Sequence, residues 1–378
     1  MILDPKRTWL LITTSAAMTI ANVHADNPNS GMNYTASKNG QNSPFDPTNY
    51  SGWRPVERHD FMVSGEFLYW RAAEGGTDYA VTSKNDAFTN PLALPIDGAV
   101  KKVDFEFTPG FRVAVGYTVP KRIWDLSLAW TRLHTSHSHH TEVPEGPGVR
   151  GRGGFIFPTR EYEFSQTNET PETASGHWDI DFDSLTLEMG RAFGVNRYFA
   201  FRPHVGFIGA WIDQDITFKY NDLHNQSGVI SSDLSVKWEN DFTGWGLRGG
   251  IDNRFLFGRG WSVYGNIAAA ILWGDFDLHA KSQKFYPPSA GRAADFASLK
   301  DGFRDIVGQL QLALGLRYDV YCYKNRIHFG FHAGWEFQEW FEQNQLRAWS
   351  TQQFNGTLTR DPGDLGFQGF VGGLRFDF

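Results

Sequence analysis

Cysteine is almost absent from this chain: Cys322 is the only one in 378 residues, so no intramolecular disulfide framework exists. Its thiol is left either buried and reduced or free to pair with another chain. Long apolar runs are missing too. Past the first 25 residues nothing approaches 18 consecutive apolar side chains, and mean hydropathy is −0.40, which excludes further transmembrane helices. There is no basic excess. Lys and Arg number 35 against 42 Asp and Glu, a net charge of −7, and no nucleic-acid footprint results. Catalytic signatures are lacking as well. Ser127, Ser184 and His134 stand in no triad spacing, and Gly151-Arg152-Gly153-Gly154 follows no strand–helix pattern that would cradle phosphate. Neither enzymatic activity nor a cofactor is expected.

Aromatic residues, by contrast, are abundant: 32 Phe, 14 Trp and 13 Tyr make up 16% of the chain. Many aromatics without apolar runs are what alternating membrane strands produce, because every second residue faces water. The first 25 residues read as a secretory signal. Lys6 and Arg7 form a basic start, Trp9 to Ile20 a short apolar segment, and Val23-His24-Ala25 a small-residue cleavage site. A short membrane anchor is the alternative. Residues 26–58 are rich in Asn, Ser, Pro and Gly and read as a flexible periplasmic leader. The barrel is expected from residue 59 to 378.

From about residue 60 the pattern has period two. In 103–117, Val103, Phe105, Phe107, Phe111, Val113, Val115 and Tyr117 share one face, against Asp104, Glu106, Thr108 and Arg112. In 306–320, Ile306 and the alternate leucines from Leu310 to Leu316 oppose Gln309, Gln311, Arg317 and Asp319. In 327–338, Ile327, Phe329, Phe331, Trp335 and Phe337 oppose His328, His332 and Glu336. Alternation of this kind is a strand with one apolar and one polar face. Weaker strands are expected near 61–71, 123–134, 177–193, 197–218, 234–256, 261–280 and 365–378. Near 183–185 the phase slips by one, which predicts a β-bulge.

Short connections at 119–122, 194–197, 257–260 and 323–326 carry the Gly, Pro and Asn of tight turns. Long ones fall near 72–101, 135–175, 219–233, 281–302 and 342–363. This alternation is that of an all-β, antiparallel transmembrane barrel of about ten strands, with short periplasmic turns and long extracellular loops. Soluble sandwich strands usually have about 5–6 residues, shorter than these. Tyr69, Trp70, Tyr117, Trp124, Trp261, Trp273, Tyr318 and Tyr321 sit where interfacial girdles belong.

The chain ends on Leu374, Phe376 and Phe378, one face with a terminal aromatic, and this looks like the signal read by the outer-membrane assembly machinery. The opening strand GEFLYW (65–70), WDLSLAWTRLHT (124–135), the stretch His177 to Arg191 and RPHVGFIGAWIDQ (202–214) resemble the Legionella-type major outer-membrane porin family, which has relatives in chlamydia-like bacteria. The resemblance implies an abundant pore-forming protein of the bacterial outer membrane, able to oligomerise. Members can be cross-linked by disulfides, and the solitary Cys322 departs from that pattern.

The expected pore-lining residues are Asp104, Glu106, Arg112, Arg202, His204, Arg248, Asp252, Arg254, Arg317, Asp319, His328, His332 and Glu336. In a water-filled lumen they would tune the passive diffusion of ions and small hydrophilic solutes. The alternative is a lumen plugged by paired charges, in a structural or adhesive barrel. Ten strands is narrow, since about eight leave room only for side chains. His134, His137, His139 and His140 gather where the third strand is expected to open into a loop, as a metal site or as a plain His-rich loop. Loop 135–175 either folds inward as a constriction, with Arg150 and Arg152 opposite lumen acids, or faces outside partners. Besides these, the expected partners are outer-membrane lipids and no nucleic acid.

Overall fold

The computed structural model describes residues 60–83, 98–119, 124–143, 154–160, 170–196, 198–224, 230–286, 293–322, 327–352 and 355–378. The expected signal peptide and leader, and Arg150 and Arg152, lie outside the described residues. Fourteen strands run β1 (Asp60–Glu74), β2 (Asp78–Ser83), β3 (Val100–Lys102), β4 (Phe107–Val119), β5 (Trp124–Glu142), β6 (Phe155–Pro158) and β7 (Thr173–Arg191). They continue as β8 (Phe193–Gly194), β9 (Phe199–His224), β10 (Ile230–Gly258), β11 (Trp261–Phe285), β12 (Ala293–Cys322), β13 (Ile327–Gln352) and β14 (Asn355–Asp377).

Ten of these pair antiparallel in the order β1-β4-β5-β7-β9-β10-β11-β12-β13-β14, and β14 returns to β1 from Met62↔Asp377 to Glu74↔Leu365. The sheet is therefore a closed barrel of ten strands, as expected, with β8 a two-residue addition on β9. At the membrane level every strand is paired on both sides and no edge is left, which lipid demands. At the short-turn end, the β10–β11 hairpin closes through Arg259 and Gly260, with φ of 55° and 86°. Both central residues in the left-handed region is the geometry of a tight hairpin turn. Gly260 is needed twice over, because a Cβ there would lie 2.5 Å from the Asp319 carbonyl oxygen.

The strands run much further than alternation suggested. β10 has 29 residues and β12 has 30, where about 9–11 cross a bilayer. The connections expected near 219–233, 281–302 and 342–363 are mostly strand, and β13 and β14 pair as far as Gln352↔Asn355. The reason is a change of solvent along each strand. On β11 the outward side chains run Trp261, Ile267, Ile271 and Trp273, and then Asp275 and Asp277. On β9 they run Val205, Phe207 and Trp211, and then Asp213 and Asp215. Trp211 and Trp245 meet edge to face at 5.1 Å, and Tyr69, Phe107 and Trp335 form a further aromatic row at this level. Beyond that girdle the wall stands in water, and its outward face becomes acidic. Asp181, Asp213, Asp241 and Asp277 are directly opposed across four neighbouring strands.

The inward face inverts at the same height. Below the girdle it is polar, while above it Trp178, Ile180, Phe182, Ile212, Phe218, Phe242, Leu272 and Phe276 are buried in one apolar cluster. This inversion corrects the expected bulge near 183–185. β7 runs through Asp183↔Arg132, Ser184↔Thr131 and Leu185↔Trp130 without a register shift. The apolar phase changes there because Phe182 faces the barrel core while Leu185 faces lipid; the backbone does not slip.

Candidate functional site

Inside the membrane-level half, the inward residues of alternating strands converge on a cavity of about 290 Å³. Arg112 on β4 reaches across the lumen. Its Nη1 donates to Glu66 Oε2 at 2.8 Å, and its Nη2 donates to Glu336 Oε1 on β13 at 2.8 Å. Gln311 Nε2 donates to the same Glu336 at 2.5 Å, and Arg248 bonds both Gln311 and Glu188, the latter at 2.8 Å. One continuous chain of charge-assisted bonds thus crosses the interior from β1 to β7. Nearer the turns, Arg202 Nε donates to Asp125 at 2.9 Å and its Nη1 donates to Asp252 at 2.8 Å. Beside Arg202, His204 lies 3.4 Å from Glu188. A third group joins Arg317 and His328 to Asp319, each at 2.8 Å, and Arg375 to Asp377 at 2.7 Å. Arg254 stands 3.9 Å from Asp319, and His332 3.2 Å from Glu66.

Of the residues expected on this face, Arg112, Arg202, His204, Arg248, Asp252, Arg254, Arg317, Asp319, His328, His332 and Glu336 point into the barrel interior. Asp104 and Glu106 do not. They lie between β3 and β4 and are exposed, because β4 begins only at Phe107. Phe105 between them packs edge to face on the buried Trp178 at 5.1 Å, and Asp104 lies 3.4 Å from His139. Trp70, expected in a girdle, is also an inward core residue. Sequence reading passed over Glu66, Asp125, Glu188, Arg375 and Asp377. Each alternates with outward apolar neighbours, as Glu66 does with Phe67 and Asp125 with Trp124, and that phase was the available signal.

The cavity reaches the turn-bearing end at Tyr117, Thr118 and Asp125, and its other limit is Ile208 and Val371, members of the apolar cluster. There Phe182 of β7 touches Phe367 of β14 at 4.6 Å and Trp340 of β13 at 5.6 Å, so opposite walls meet across the lumen. Above them lies a second sheet, ordered β3-β2-β6. β2 and β3 come from the connection after β1, and β6 from the one after β5. Ile156 and Tyr79 are fully buried in the cluster. Tyr79 stacks on Phe218, and its hydroxyl bonds His139 Nδ1 at 2.5 Å and Thr141 Oγ1 at 2.8 Å. Tyr220 donates to the Tyr79 carbonyl at 2.6 Å. Burial pushes the Tyr79 hydroxyl above the usual phenol range, which keeps it protonated. The β6 segment of the 135–175 connection thus folds inward.

The histidines do not form one cluster. They lie on β5, whose alternation sends His134 and His140 outward and His137 and His139 inward. His134 instead meets Asp179 and Asp181 of β7, with ligand-type atoms within 4.8 Å of one another on the exposed outer face. Cys322 is exposed at the turn end of β12, so a buried thiol is excluded.

The sequence profile of the family described as the Legionella pneumophila major outer membrane protein precursor matches residues 53–378. No curated protein sequence matches. Among solved structures, the outer membrane protease OmpT of Escherichia coli is similar at 8% identity, covering 84% of this chain and 96% of its own, with a TM-score of 0.37. The Pseudomonas putida toluene transporter TodX is similar at 8% identity, covering 85% and 90%, with a TM-score of 0.26. A Pseudomonas aeruginosa FadL homologue is similar at 7% identity, covering 85% and 90%, with a TM-score of 0.24.

Proposed function

The chain belongs to the Legionella pneumophila major outer membrane protein family, and from that premise we propose that it is a narrow diffusion channel for ions and small hydrophilic solutes, held closed at its outer end by the β2–β3–β6 sheet. The observation that carries this reading is the contrast within one barrel. The outer half is filled mainly by apolar side chains. The membrane-level half is lined instead by arginines and carboxylates around a cavity of about 290 Å³. Charges of both signs around such a passage tune ion entry, and their pairing across the lumen keeps the bore small. Conduction then requires the apolar seal to part.

The test is single-channel current of refolded protein in planar bilayers. The full chain should give small, brief steps. A variant with Phe182→Ala and Phe367→Ala, or one lacking 155–158, should give larger and longer ones. The second reading is a structural barrel, favoured by the contact of Phe182 with both Phe367 and Trp340. If every protein is folded, by β circular dichroism and heat-modifiable gel migration, and none conducts, the structural reading replaces the channel.

A further inference from the structure

The outer half of the interior is largely apolar, and one group of polar side chains in it lacks partners. There Glu74 at the end of β1, Gln214 on β9, Asn240 on β10 and Gln343 on β13 are only 5%, 2%, 3% and 0% exposed. The barrel brings them together. Gln214 and Asn240 are directly opposed on neighbouring strands. Asn240 Nδ2 donates to the Gln343 carbonyl at 3.0 Å, and Asn344 Nδ2 donates to the Gly75 carbonyl at 2.5 Å, which holds this part of β13 against the end of β1. Gln214 faces the Glu74 carboxyl group and accepts Trp178 Nε1 at 3.0 Å.

Four oxygens are left over: both carboxyl oxygens of Glu74, Asn240 Oδ1 and Gln343 Oε1 are buried without a hydrogen-bond partner. One such atom costs about 1–3 kcal/mol, and the contacts above bring the residues that carry them together. Burial first, and then the charges of Asp364 and Glu339, push the Glu74 carboxyl well above the usual carboxylate range; it makes no ion pair among the described residues, and a bound cation would supply the charge that ionises it. The backbone contributes as well. The β13 register breaks between Trp340 and Asn344, with Glu342 at a φ of 53°, and this bulge turns Gln343 inward.

We propose that Glu74, Asn240 and Gln343 form a buried site for a hard divalent cation of the calcium class, with Gln214 positioning Glu74. A carboxylate with carboxamide oxygens is an oxygen-only donor set. Calcium, which accepts six to eight oxygen ligands flexibly, fits donors drawn from three separate strands better than magnesium, which demands a near-ideal octahedron. The unpaired Nε2 groups of Gln214 and Gln343 can donate to waters that complete the shell. The cation ties β1, β9, β10 and β13 together at the level of the seal. The proposal does not rest on the channel reading.

The experiment uses the refolded full chain with CaCl₂, MgCl₂ and TbCl₃ as probes. Trp178 lies beside the site and should sensitise terbium emission. Saturable emission is expected, displaced by calcium well before magnesium, together with at least tenfold slower heat unfolding in calcium. Glu74→Gln should weaken binding at least tenfold, and Asn240→Asp should tighten it. Absence of a saturable signal in the folded wild type overturns the proposal. So does binding unchanged in both variants, which would place the ion on outward aspartates such as Asp213 and Asp241. If Glu74→Gln does not fold, by gel migration, Asn240→Asp decides: unaltered affinity overturns the site.

Discussion

Arg112 shows what a single side chain does in this interior. It is buried between Glu66 and Glu336 and bonded to both. Removing one partner of a buried ion pair leaves the other charge uncompensated, at a cost of about 3–5 kcal/mol, whereas replacing the pair by packed apolar groups is often neutral. Arg112→Ala should therefore lower folding stability by about that amount, while Arg112→Met combined with Glu336→Leu should recover most of it. Urea midpoints of the protein refolded in detergent micelles check this, and equal losses in both variants would refute it. Arg112 and Glu336 were legible from phase alone, because charges alternate there with long apolar runs. Asp104 and Glu106 had the same phase and were misplaced. The alternation of Val103 and Phe105 continues that of Phe107 and Phe111, yet the first two face the barrel core and the others face lipid.

At the scale of the strand, that ambiguity becomes general. Period two states that one face is apolar, without stating whether lipid or core provides the apolar side. Ten strands, their order and the short turns were legible, because turn residues and girdle aromatics punctuate them. The outer extensions of β9 to β14 were not, because Lys219, Asn221, Asp222, Lys281, Ser282, Lys300 and Asp301 look like loop composition. Nor was the buried quartet, since Glu74, Gln214, Asn240 and Gln343 meet only through closure of the barrel. Depth along one strand gives the clearest check. Ile267 and Asp277 lie on the same outward face of β11, either side of the girdle at Trp273. Ile267→Arg should cost about 2–4 kcal/mol, the usual figure for a cation at mid-bilayer, and Asp277→Arg should stay within about 0.5 kcal/mol. Denaturant titrations in lipid vesicles measure both. Equal costs would mean that the girdle does not mark the membrane boundary.

At the scale of the whole molecule, the barrel is much taller than its membrane. The 30 residues of β12, at roughly 3.3 Å each and a tilt of about 40°, rise on the order of 70 Å. The apolar band of such barrels is about 25 Å, so most of this height stands outside. The described strands form two stacked levels of opposite polarity, closed at the membrane level and open between β12 and β13 beyond Gln309↔Trp340. The membrane-level one is apolar outside and ionic inside, and the outer one is acidic outside and hydrocarbon inside.

The separate β3-β2-β6 sheet sets an order of events in time. Its strands are supplied by two connections with β4 and β5 between them in the chain, and Tyr79 and Ile156 find their surroundings only against β5, β7 and β9. Contacts across such sequence separations pay for loop closure before they gain anything. The wall must therefore close before the stopper can seat, and every newly inserted molecule passes through a stage with its outer mouth unsealed. In vesicle refolding, protease protection of the membrane-level strands should precede the change in environment of Trp178. If both appear in one step, wall and stopper form together, and that open stage does not exist.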